Sequence, residues 1–208
     1  MAIITPDKTP SINVITHQAA AHPITIVGDA ISMLTKRSVE IYMYHGYVEA
    51  TADTNPGKFK VQKRPDPGAG SVNENWITVA EYVVKGTTPD SEAPSGDEDV
   101  GDRVILVAST VGFVAEDLIY FQDAGVVTNG EWGEVQEVPA GVSIDLLDGI
   151  ARAKDAADFI FNDASTFVFA GNFNANESFR VVWSHEGAVG ANGHVKVIAS
   201  TYDSDTSV

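Results

Sequence analysis

The side chains of this 208-residue chain that could do chemistry are few and scattered. Ser184-His185-Glu186 has the residue types of a nucleophile, a base and an orienting acid in consecutive positions. The surrounding segment reads as a strand, where neighbouring side chains point to opposite faces, so the three cannot relay a proton among themselves. His185 and His194 flank a Gly-rich stretch and would approach each other in a hairpin, but their spacing matches no standard zinc pattern. His17, His22 and His45 read as ordinary strand or turn histidines. Six acids, Asp90, Glu92, Asp97, Glu98, Asp99 and Asp102, offer the hard oxygens that Ca²⁺ takes. The EF-hand order of Asp/Asn, Gly and Glu is absent, so a solvated acidic loop is expected. No Gly-Lys-Ser/Thr opens a helix, which removes the usual phosphate-binding loop. No catalytic residue, no metal ligand and no cofactor site is therefore expected, and the chain is read as non-enzymatic.

Two groups suit binding instead. Lys58, Lys60, Lys63 and Arg64 fall within seven residues that contain no acid, with Phe59 interleaved. Three readings stay open for them: a lysine-protected edge strand, a surface that docks on an acidic patch of a sister subunit, or a nucleic-acid contact. The second predicts self-association weakened by salt. Trp132 with Glu131 and Glu134 is the one aromatic–carboxylate group suited to a sugar-binding face.

Charge weighs against nucleic acid. Residues 1–75 hold seven cations and seven carboxylates, whereas residues 76–208 hold six and 22, so the whole net charge of −16 lies in the later part. Such a surface repels phosphate backbones. The absence of Cys removes disulfides and thiolate metal sites. No stretch approaches the roughly 20 apolar residues of a membrane-spanning helix, and no basic segment precedes an apolar one near Met1, so neither a membrane partner nor an export leader is expected.

The elements that must position these residues are strands. An apolar fraction of 44% suffices for a buried core. Residues 38–48 alternate, with Val39, Ile41, Met43, His45 and Tyr47 on one face and Glu40, Tyr42, Tyr44, Gly46 and Val48 on the other. Short β-branched or aromatic runs recur about every ten residues, separated by Gly, Asn, Asp and Pro. Residues 150–157 are the one predicted helix, of about two turns. The fold class expected is all-β, as one or two small antiparallel barrels or sandwiches with an extended N-terminal arm. The expected divisions are an arm at 1–22, the first part of a β domain at 23–86, an acidic loop or linker at 87–102, a barrel or sandwich domain at 103–200 and a polar tail at 201–208.

Residues 101–163 resemble a small β module common in phage and surface proteins, through Ser109, Gly112, Phe113, Asp117, Glu131, Val135, Val138, Leu146 and Phe159. Lys154 and Ala157 stand where that module often has His and Gly. Residues 45–62 (HGYVEATADTNPGKFKVQ), 74–82 (ENWITVAEY) and 183–197 (WSHEGAVGANGHVKV) are similar to virion proteins encoded near tailed-phage head genes. The resemblance implies a tailed-bacteriophage virion structural protein, assembled in the host cytoplasm into the particle. Its partners would be further copies of itself and other virion proteins such as the major capsid protein. Capsid decoration or cementing is the leading expectation; a head–tail neck or tail position and a carbohydrate-binding β module are the alternatives. Interface residues expected on this reading are Ile12, Val14 and Ile15 in the arm, Tyr42 and Tyr44, and Lys58, Lys60, Lys63 and Arg64.

Overall fold

A computed structural model of the chain describes residues 10–19, 24–47, 57–65, 76–84, 89–139, 141–174, 176–185 and 193–203. Among these the strands are β1 (Ile12–Ala19), β2 (Ile24–Val27), β3 (Ile31–Ser32), β4 (Lys36–Tyr47), β5 (Lys58–Pro65), β6 (Ile77–Val83), β7 (Ser91–Glu92), β8 (Val104–Leu106), β9 (Leu118–Gln122), β10 (Glu131–Glu137), β11 (Ser143–Leu146), β12 (Phe159–Phe161), β13 (Ser165–Asn172), β14 (Glu177–His185) and β15 (Gly193–Asp203). The all-β expectation holds, and every pairing between these strands is antiparallel.

Two sheets form a sandwich. One has the order β1-β15-β4-β13; the other has the order β2-β14-β5-β6, with β3 also on β14. The period-2 pattern of β4 does what alternation dictates: Val39, Ile41, Met43 and His45 are buried, and Tyr42 and Tyr44 lie on the opposite face. Facing them from the second sheet are Phe59 and Val61 of β5 and Phe179, Val181 and Trp183 of β14. Val195, Val197 and Ala199 of β15 complete this core, which fills the space between the two layers.

A third sheet, β7-β12-β9-β10-β11-β8, holds its own core of Ile105, Phe113, Ile119, Phe121, Val135, Ile144, Leu146 and Ile160. It curls until its edges meet: Pro94 bridges Val107, and the Ser95 amide donates to the Leu106 carbonyl at 2.7 Å. The chain leaves the sandwich after β6, builds this barrel-like module from residues 89–163, and returns in β13. Residues 165–203 therefore pair with residues 12–65 and not with the module, which corrects the single unit expected over 103–200. Entry and exit are stitched together. The Asp90 amide donates to Asn162 Oδ1 at 2.7 Å, the Asn162 amide donates to the Asp90 carbonyl at 3.1 Å, and Asn162 Nδ2 donates to the Gly112 carbonyl at 2.6 Å.

Five further expectations change. Residues 12–19 of the expected arm are a strand on the chain's own β15, and Val14 and Ile15 are buried in its own core. Residues 89–102 of the expected linker are woven into the module through β7 and through Glu98, whose side chain accepts the Leu106 amide at 3.1 Å. Residues 150–157 are not helical; the Glu98 and Lys154 backbones pair there instead, because that pairing and the Lys154–Glu131 ion pair outweigh weak helical propensity. The Lys-rich strand β5 is not an edge, since it lies between β14 and β6. Residues 201–203 of the expected polar tail belong to β15, where Thr201 and Tyr202 pair with Val39 and Ser38 of β4. Residues 1–9 and 20–23, the turn residues Asn55 and Pro56, the loop residues 66–71, the Gly-rich stretch 186–192 and the rest of the expected tail, 204–208, lie outside the described residues.

Candidate functional site

Tyr120 of β9 joins the module to the sandwich. It pairs opposite Trp132 on β10, and its ring lies over Gly46, a position of β4 at which no side chain projects from the sheet. The Tyr120 hydroxyl lies 2.8 Å from His194 Nδ1 of β15 and 3.0 Å from His17 Nε2 of β1, and the two ring nitrogens are 3.3 Å apart. All three side chains are buried.

A hydroxyl has one proton to donate, so neutral imidazoles suit this triangle. Tyr120 donates to one ring nitrogen and accepts from the other. Protonating both rings replaces that acceptor nitrogen with a donor and sets two N–H groups against each other. Burial lowers both imidazole pKa values to about 4, with Lys196 and Arg152 adding to the effect at His17 and the His17 charge adding to it at His194. The backbone hydrogen bond at Thr128 works the other way at His17. Burial, and then the charge of Asp123, raise the Tyr120 phenol above its ordinary range. The triangle is a closed polar joint. Its partners are 74, 103 and 177 residues apart in sequence, so no local spacing points to it.

Trp132 packs in the same seam against Tyr44, His17 and Tyr120, with centroid separations of 5.5, 5.0 and 4.8 Å. Cavities of about 390 and about 320 Å³ flank it. Glu131 lines both, and its carboxylate is held by the module's own groups. Its carboxylate accepts the Ala151 amide at 2.8 Å and the Arg152 amide at 3.3 Å, and lies 3.1 Å from Lys154 Nζ, a fully buried ammonium. Among the expected interface residues, Tyr44 is thus half-buried against the module, while the Tyr42 hydroxyl donates to Glu40 at 3.3 Å and Ile12 is partly exposed on β1.

The cationic residues of β5 divide by face. Lys63 turns to Glu177, 2.9 Å away. Lys58, Lys60 and Arg64 lie on the outer face of their sheet, where Arg180 of β14 joins them opposite Gln62, and Lys58 has Glu81 at 3.5 Å. The Arg64 and Arg180 guanidinium carbons sit 4.7 and 4.3 Å from the centroid of the Trp76 ring. Sequence reasoning found Arg64 from its run of charges but missed Arg180, whose register against Gln62 is set by the sheet.

The remaining chemistry is dispersed. Ser184 and His185 are successive on β14, and the His185 ring lies parallel to that of Trp183. His194 is in the other sheet, next to His17 rather than His185. Among the described residues no three His, Asp or Glu side chains gather closely enough to hold a metal ion. In comparisons with known protein families and with curated proteins, the chain matches no family model and no curated sequence.

Proposed function

We propose that the chain is a non-enzymatic structural protein of a tailed-phage particle that works as a multimer, with capsid decoration or cementing as its role and a neck or tail position as the alternative. The observation that carries this reading is an apolar strand left open at the edge of the sandwich. Among the described residues β6 is the last strand of its sheet, and Ile77, Val79 and Val83 on it are 59, 40 and 60% exposed. An edge strand presents unpaired N–H and C=O groups, and apolar side chains on it favour pairing or packing with another chain. Val104 and Leu106, on one face of β8, are also exposed on the module. The polar joint and the Glu131–Lys154 pair, by contrast, are spent on internal contacts.

Multi-angle light scattering over a wide concentration range tests the reading. A discrete multimer is expected, and it should add back to particles that lack the chain. A monomer at all concentrations that binds glycans on an array would instead favour the sugar-binding alternative. Turnover of any substrate, abolished by one polar substitution, would overturn the proposal.

A further inference from the structure

We infer that the outer face of the β2-β14-β5-β6 sheet, centred on Arg64, Arg180 and Trp76, is the docking surface for the acidic module of a second copy of this chain. This inference rests on the multimer reading and names its contact.

The first ground is uncompensated charge. Arg64 and Arg180 converge on one indole, and neither has a carboxylate partner among the described residues. Arg180 Nε donates to Gln62 at 2.9 Å, while Arg64 Nε is buried with no hydrogen-bond partner there. Burial, then the Arg64 charge, draw the Arg180 pKa below its ordinary value. Two guanidiniums held together repel unless an anion arrives, and a guanidinium fork suits carboxylates. Lys60 lies on the same face, opposite Glu81 of β6, which also stands 3.5 Å from Lys58; the uncompensated pair is therefore Arg64 and Arg180.

The second ground is the charge of the module. Residues 89–163 hold 17 carboxylates and three cationic side chains, a net charge of −14 within the chain's −16. The Glu98–Lys154 bridge and the Gly101–Ile150 hydrogen bond gather the exposed Asp97, Asp99 and Asp155 on one rim.

Geometry assigns the contact to a neighbour. Through Tyr120 and Trp132 the module sits on the outer face of the other sheet, at Gly46 and Tyr44. The chain leaves for the module beyond Val83, which pairs with Lys58. Arg64 is six residues further along β5, about 20 Å away at the rise of an extended strand. A basic face and an acidic module at separate places on one molecule give a head-to-tail contact, which closes as a ring or runs on as a filament.

The test is sedimentation velocity at about 0.05 M and about 1 M salt, where the screening length shrinks to roughly 3 Å. Self-association should weaken at least tenfold at the higher salt. Arg64→Glu with Arg180→Glu should abolish it, as should Asp97→Lys with Asp99→Lys and Asp155→Lys on the module, so a folding failure in one variant leaves the other to decide. Mixed together, the two variants should associate again, because the intact rim of the first meets the intact face of the second and the two reversed surfaces are themselves complementary in charge. A wild-type multimer that ignores salt and both charge reversals would overturn this inference and leave the multimer reading standing. A wild-type monomer at every salt and concentration would overturn both.

Discussion

The Tyr120 ring lies over the bare backbone of Gly46, so the inserted module reaches the sandwich through the one outward position of β4 that has no side chain. A methyl group at Gly46 would run into the ring. Gly46→Ala should therefore displace Tyr120 and cost about 1–3 kcal/mol, the usual range for overpacking. Urea unfolding would read the loss. In the Tyr120→Ala background Gly46→Ala should cost little, which would show that the two residues act on each other, whereas additive losses would count against the contact.

Acid should loosen the joint. Both histidines have folded pKa values of about 4 against an ordinary 6.5, so between those values the unfolded chain binds more protons than the folded one. Stability then falls as pH drops from about 6.5 towards 4, by an amount on the order of 3 kcal/mol for each ring. His17→Gln with His194→Gln should flatten the dependence of the melting temperature on pH across that window. An unchanged slope would refute the assignment of the acid sensitivity to these rings.

Lys154 and Glu131 should respond asymmetrically to mutation. Glu131→Ala leaves a fully buried ammonium without its carboxylate and frees the Ala151 and Arg152 amides, a loss of about 3–5 kcal/mol. Lys154→Met removes the charge and keeps the apolar stem beside Phe121, so it should cost much less. Thermal melts of the two variants decide this, and equal losses would contradict it.

Asn162 closes the neck between the module's entry and exit. Asn162→Ala removes an acceptor from the Asp90 amide and a donor from the Gly112 carbonyl, which should cost about 1–3 kcal/mol. Faster hydrogen exchange at the Asp90 amide, with β14 amides unchanged, would locate the loss at the neck. Uniform acceleration across both parts would argue for global destabilisation instead.

Much of the strand pattern was legible because alternation is local. The faces of β4 follow from Val39, Ile41 and Met43 against Glu40, Tyr42 and Tyr44, and burial agrees with them. The run 150–157 misled because it has helix-forming residues, yet Lys154 is tied to the Glu98 backbone by an isolated bridge and to Glu131 of β10, and tertiary contacts override weak propensity. The acidic stretch 89–102 misled in the opposite sense. Its composition suits a solvated loop, but β7 and the Glu98 side chain anchor it to the module.

Sequence alone determined the class: an acidic chain built from short strands, since charge and side-chain period are properties of neighbours along the backbone. Tertiary structure decided which strands pair. It put β13, β14 and β15 with the N-terminal strands, set Arg180 beside Arg64, and brought His17, Tyr120 and His194 into one triangle. Those outcomes depend on long-range register and on how two sheets and a module share buried surface, and no local spacing in the chain encodes them.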